Sequence, residues 1–245
     1  MKKLLGVVAV LAMSFGLTSF VAAPAQAEPK WSSTSPFARE VVRPGDVDRD
    51  PYNIEHVYEL QYRLARLGHL NAAPNGVFGP RTTRAVKRFK RELGLKRTGT
   101  VGHTTWKKLI RRTVRGKGAV PRACKTAGWH ACYDRTRHQV NLYHRGTLLN
   151  SWLVRGGSYS TQTRTGNFKV KWRDIDHRSG QFGGAPMPYS QFFSGGQALH
   201  GSRNMVDPWV GHSHGCVNFW VEDARQLWRM TSDKNLRVHV YGAWD

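Results

Sequence analysis

At 245 residues the chain is long enough for one large domain or two modest ones and too long for a lone mini-scaffold. With 40% of residues apolar, 11% aromatic and 22% charged, it has the material for a packed core, which excludes a globally disordered chain. Its 38 Lys and Arg against 16 Asp and Glu give a formal charge of +22, a balance that ordinarily points to nucleic acid.

The first 27 residues carry the features of a secretory signal peptide: Lys2 and Lys3, an apolar stretch from Leu4 to Val21, and the small-residue cleavage site Ala25-Gln26-Ala27. Gly6, Ser14, Gly16, Thr18 and Ser19 dilute the apolarity and argue against an uncleaved anchor. No later segment reaches spanning length, so the expectation is a secreted, wall-associated product with no transmembrane segment in the mature chain. Losing Lys2 and Lys3 reduces +22 to +20. Export argues against nucleic acid as the partner and favours anionic envelope polymers.

Residues 28–52, with Pro36, Pro44 and Pro51 and no sustained apolar period, read as a linker. From Asn53 the texture changes. Ile54, Val57, Leu60, Leu64 and Leu67 recur at helical steps up to Gly68, and Ala85, Val86, Phe89 and Leu93 repeat the pattern up to Gly94. Thr104 is placed to cap a third helix carrying Trp106, Leu109 and Ile110. Residues 53–112 thus form a three-helix unit with 14 basic and 3 acidic residues. Its stretches LQYRLARLGHL, NGVFGPRTTRAVKRFKRELGL and GTVGHTTWKKL resemble the small peptidoglycan-binding module that accompanies many wall enzymes. The resemblance implies peptidoglycan as a partner. The competing reading, a helical phosphate binder using Arg81, Arg84, Lys87, Arg88, Lys90 and Arg91, conflicts with the leader.

Residues 113–122 form a second Gly-containing linker, and residues 123–245 turn β-like. Gln139 to Tyr143 and Thr147 to Val154 flank the turn His144-Arg145-Gly146 as a hairpin. Shorter runs follow at Asn167 to Trp172 and Leu236 to Tyr241, with one helical pattern from Val221 to Met230. The expected class is α+β multidomain: a small helical module followed by a mainly-β domain.

The three cysteines sort themselves by spacing. Cys124 and Cys132, separated by seven residues around Gly128, can close a small disulfide loop in an oxidising compartment. Cys216 is left over, in Gly211-His212-Ser213-His214-Gly215-Cys216-Val217-Asn218. A lone cysteine is by default a buried, inert one. A metal site is a weak alternative, because His212 and His214 diverge on an extended chain and no second cysteine stands nearby. A thiol nucleophile with a histidine base fits the residue types better.

SHGCVN at Ser213–Asn218, with ALHG at Ala198–Gly201, resembles the signature of the YkuD-type L,D-transpeptidases, supported by Arg164-Thr165-Gly166-Asn167-Phe168 and Met187-Pro188-Tyr189. Arg164 stands where the family usually has proline, and Asn218 where many relatives have arginine. The resemblance implies a mainly-β catalytic domain over residues 123–245, with Cys216 as nucleophile and His200 as general base and acid. It also implies that the Gly201 carbonyl orients the imidazole. Gly215 is expected at an oxyanion hole, Ser213, His214 and Asn218 as shaping residues, and Met187 and Tyr189 as lining for the donor groove. The reaction it implies needs no cofactor or metal. It releases D-alanine from a stem tetrapeptide and forms a 3→3 cross-link. Hydrolysis of the same acyl-enzyme, an L,D-carboxypeptidase activity, and non-enzymatic wall binding remain alternatives.

Overall fold

A computed structural model describes residues 33–50 and 54–244, so the leader expected at 1–27 and the first residue of the helical unit lie outside the described residues. Three helices follow in order: α1 (Val57–Arg66), α2 (Pro80–Glu92) and α3 (His103–Thr113). Their apolar stripes meet in one core through Val57, Leu60, Leu64, Val86, Phe89, Trp106 and Leu109. Gly68 and Gly94 terminate α1 and α2 in the left-handed region, with φ of 75° and 65°. Pro80 opens α2, where its missing N–H is no loss. Thr104 does not cap α3. The helix begins one residue earlier with extended Gly102 as its N-cap, so Thr104 sits exposed in the first turn.

The segment expected to be a linker over 28–52 is packed where it is described. Phe37 and Val42 are buried in the helical core, Val42 bridges Val101, and Val47 bridges Val77. Each pairing is a single bridge separated by the Pro44-Gly45 turn, which leaves no period for a sequence pattern to show. The second linker is likewise partly absorbed, since α3 runs through Thr113 and both Val114 and Val120 are buried.

The remainder is a sandwich of two sheets. The strands are β1 (Trp129–Asp134), β2 (Gln139–His144), β3 (Thr147–Leu153), β4 (Gly166–Lys169), β5 (Trp172–Arg178), β6 (Pro186–Ser194), β7 (Gln197–Gly201), β8 (Val217–Phe219) and β9 (Leu236–Tyr241). One sheet runs β3-β2-β1-β9-β4 and the other β5-β6-β7-β8, with parallel pairing at β1/β9 and β7/β8. Helix α4 (Val221–Thr231) follows β8 directly and packs its Ala224 and Leu227 into the core shared by the sheets. Trp152, Phe193, Leu199, Val217 and Phe219 fill that core, each contributing about 1.5–3 kcal/mol by burial. Cys124 and Cys132 are joined, with Cα atoms 6.2 Å apart, tying the domain entry to β1.

The two units share a buried interface rather than a flexible joint. Arg39 Nε and Arg63 Nε donate to the Glu59 carboxylate at 2.8 and 2.7 Å, and both guanidiniums also reach the Ser151 carbonyl on β3. Burial pushes the Glu59 carboxyl up, but Arg39 and Arg63 outweigh it and hold the group down at about 2. Next to it, His56 lies between Glu40 (2.6 Å) and Asp223 of α4 (3.0 Å). Desolvation opposes its charge, yet the two carboxylates raise its pKa well above the ordinary imidazole range. His56, Glu59 and Asp223 converge closely enough to suggest a cation site, and Arg39 and Arg63 already supply the balancing positive charge there. An apolar cluster of Ile54, Tyr58, Leu153, Met205 and Trp220 completes the interface.

Candidate active site

Parallel pairing of β7 with β8 sets the site, because it aligns His200 with Asn218 and Leu199 with Val217. Side chains alternate along strands, so Ala198 and His200 on β7 share a face with Asn218, and Cys216 enters β8 on that same face. The Ala198 N–H donates to Cys216 Sγ at 3.4 Å, and Sγ lies 3.7 Å from the Gly196 carbonyl. The sulfur thus sits against the start of β7, two strand positions from the histidine.

His200 is buried, and its Nδ1 donates to the Gly201 carbonyl at 2.7 Å. A carbonyl can only accept, so Nδ1 carries the hydrogen and Nε2 keeps the basic lone pair. Burial lowers the His200 pKa to about 4, the Gly201 carbonyl opposes that shift, and the nearby His177 adds to it. Burial also pushes the Cys216 thiol up, with the Ala198 amide pulling the other way. The resting pair is therefore neutral thiol and neutral imidazole, the protonation state in which histidine acts as a base during attack.

The turn before Cys216 is held by Ser213. Its Oγ donates to the Cys216 carbonyl at 2.6 Å and accepts from the Gly215 N–H at 3.0 Å. Gly215, expected at an oxyanion hole, has its amide engaged in the turn by Ser213 Oγ. Gly215 is needed for its backbone: φ is 117°, and a Cβ there would lie 2.5 Å from Gln197 Nε2. Gly157 packs against it so closely that its own Cβ would stand 2.9 Å from the Gly215 Cα. Ser213 N–H donates to the Gly156 carbonyl and Ser158 N–H to the Ser213 carbonyl, so segment 156–158 forms the wall behind the turn.

Of the other expected residues, Met187 clusters with Phe192, Ala198 and Cys216 and borders the sulfur. Tyr189 does not. Its φ of 59° interrupts the alternation of β6, and the ring turns to the main core and to Trp228 of α4, at 6.3 Å. His214 is exposed and stacks on Phe182 from the β5–β6 connection, with ring centroids 4.3 Å apart. Asn218 is buried with its Oδ1 lacking a hydrogen bond among the described residues, while its backbone pairs with Arg155. Arg164 leaves its turn well anchored: its N–H donates to Gln197 Oε1 at 3.0 Å and its Nη1 to the Ser194 carbonyl at 2.9 Å. Gln197 and the Gly156-Gly157 pair were not singled out by the sequence, whereas His177 falls in the Gly/Ser-rich segment 176–184 that the resemblance placed at the donor groove. The adjacent glycines were the one available signal, since close backbone approach commonly demands them.

A separate groove of about 670 Å³ lies on the helical module, bordered by Gln61, Leu70, Ala72, Asn75, Arg81 and Arg84. Among the described residues no helix is long and apolar enough to cross a membrane.

Comparison with known proteins agrees with both halves of this architecture. Residues 53–109 match the peptidoglycan binding domain family, and residues 128–240 match the YkuD L,D-transpeptidase catalytic domain family. A spore cortex-lytic enzyme of Oceanobacillus iheyensis is 38% identical over 79 residues, 32% of this chain and 26% of that protein, so the match spans about a quarter of the relative's length. The crystal structure of an L,D-transpeptidase (Yku) from Stackebrandtia nassauensis is 25% identical, with a TM-score of 0.51, covering 86% of this chain and 98% of that one. The chain therefore joins a module of the peptidoglycan-binding family to a catalytic domain of the YkuD L,D-transpeptidase family.

Proposed function

We propose that the chain is an exported, cysteine-dependent L,D-transpeptidase that cross-links peptidoglycan stem peptides. The observation that carries the reading is the fixed His200 tautomer on the strand face that Cys216 enters: Nδ1 is committed to the Gly201 carbonyl, and the β7/β8 register aligns His200 with Asn218, two residues after the thiol.

In the first half-reaction Cys216 Sγ attacks the carbonyl between the third residue of a donor stem and its terminal D-alanine. The thiol proton passes to His200 Nε2 as the S–C bond forms. The developing oxyanion is assigned to the Cys216 amide, because the Gly215 amide is engaged by Ser213. As the C–N bond breaks, the imidazolium returns the proton to the departing amine and D-alanine leaves. In the second half-reaction the side-chain amine of another stem attacks the thioester, His200 takes its proton, and the thiol is restored. Asn218 offers its buried, unbonded Oδ1 to a donor-peptide N–H, and Met187 gives the groove an apolar wall. None of these steps calls for a metal or organic cofactor. Peptidoglycan is the partner, and the module groove beside Arg81 and Arg84 is the concave surface it meets.

The test is incubation of the mature protein with disaccharide-tetrapeptide followed by mass analysis. Dimer lacking one D-alanine is expected, with a loss of about 10³-fold or more in Cys216→Ala. Tripeptide alone would establish an L,D-carboxypeptidase instead, and unchanged substrate a non-enzymatic wall-binding protein.

A further inference from the structure

The loop over 202–215 joins the end of β7, with the histidine, to the turn that presents Cys216. Its far end is stapled within the catalytic domain, by Ser213 to Gly156 and by Arg155 Nη1 to the Val210 carbonyl at 2.9 Å. Its middle is held by the other domain. Met205 is fully buried in a cluster with Ile54 and Tyr58, and Trp209 stacks on Tyr62 of α1 with ring centroids 3.8 Å apart and planes inclined by 19°. The Tyr58 hydroxyl lies near Asp207, two residues before Trp209, and burial and then that carboxylate raise its pKa. Tyr58 also meets the edge of Trp220, which directly follows β8. Helix α1 therefore grips the chain on both sides of the nucleophile.

We infer that α1 of the peptidoglycan-binding module is part of the catalytic apparatus, with Tyr58 and Tyr62 acting as positioning residues for the 202–215 loop. This rests on Cys216 being the nucleophile. A stacked aromatic pair is a directional contact, and displacement of a reacting group by about 1 Å can cost on the order of 10²-fold in rate. The module then does more than bring the enzyme to the wall: any shift of α1 is transmitted to the loop through Tyr62 and Trp209.

Full-length Tyr62→Ala, Trp209→Ala, their double variant and Tyr62→Phe test this. The readouts are kcat and KM for D-alanine release from disaccharide-tetrapeptide, the alkylation rate of native Cys216 by iodoacetamide, and binding to isolated sacculi. Tyr62→Ala and Trp209→Ala are each expected to lower kcat roughly tenfold, with KM little changed and the alkylation rate altered. The double variant should be no worse than either alone, because one contact is being removed. Tyr62→Phe keeps the stacked ring and should recover most of the kcat lost in Tyr62→Ala, and sacculus binding should be equal in all. Wild-type kcat and alkylation in both alanine variants would overturn the inference. If Tyr62→Ala fails to fold, Tyr58→Phe, which removes only the hydroxyl near Asp207, takes its place: a fall in kcat supports the inference and none overturns it. Failure of the wild type to release D-alanine would strike at the proposed function instead, and the alkylation rates would still decide whether α1 sets the loop.

Discussion

At the scale of single residues, the site is organised by two hydrogen bonds that leave no choice of role. Gly201 fixes which nitrogen of His200 is basic, and Ser213 fixes the turn that ends at Cys216. Burial lowers the histidine to about 4 and raises the thiol, so neither charged form is favoured at rest. The base must be neutral to accept a proton, so activity should survive mild acid and fall only as the pH drops through about 4. The thiolate, by contrast, should accumulate only above the ordinary thiol value of 9.0, so Cys216 alkylation should keep accelerating past pH 9. A pH profile of kcat/KM and one of alkylation check the two limbs separately. An acid limb near 6.5 would mean that burial does not lower His200, and alkylation already maximal at neutral pH would mean a thiolate–imidazolium ion pair. The residues named by the SHGC signature were legible because one short motif holds them. Gln197 and Gly157 were not: Gln197 directly precedes ALHG on β7 without any motif to mark it, and Gly157 reaches the turn from another loop.

At the scale of elements, legibility followed periodicity. The three module helices repeat their apolar residues at about 3.6 and the β2–β3 hairpin at 2, and α1 and α2 end at glycines, so they could be read directly. The packed segment 33–50 could not, since its pairings are single bridges and its anchors, Phe37, Arg39 and Val42, are spaced irregularly. Tyr189 shows the same limit within a strand: a left-handed residue reverses the facing that alternation assigns. The disulfide was legible from spacing alone and ties the turn at Arg122–Lys125 to β1. Replacing both Cys124 and Cys132 by serine should cost about 2–3 kcal/mol, read as a lower midpoint in denaturant, and leave turnover of the folded enzyme unchanged. Lost turnover at full folding would mean that the entry loop reaches the site.

For the molecule as a whole, the charge changes meaning. The basic excess is spread over exposed positions of α2 and α3, such as Arg84, Lys87, Lys107 and Arg111, where it suits an anionic wall. The charges that shape the architecture are the few buried ones, Arg39, Glu59, Arg63 and His56 with Asp223, which bind the module to the catalytic domain. Glu59→Gln leaves two guanidiniums buried against one neutral amide. It should destabilise the protein by about 3–5 kcal/mol in equilibrium unfolding. A loss under 1 kcal/mol would show that water already screens the interface.

The claim on which all of this depends is that Cys216 carries the stem peptide. Intact-mass measurement of the protein quenched in acid during turnover of disaccharide-tetrapeptide tests it most directly. The account predicts an adduct equal to the donor minus D-alanine, mapped to Cys216 and absent from Cys216→Ala. An unmodified Cys216 during active turnover, or the same adduct on the alanine variant, would contradict it.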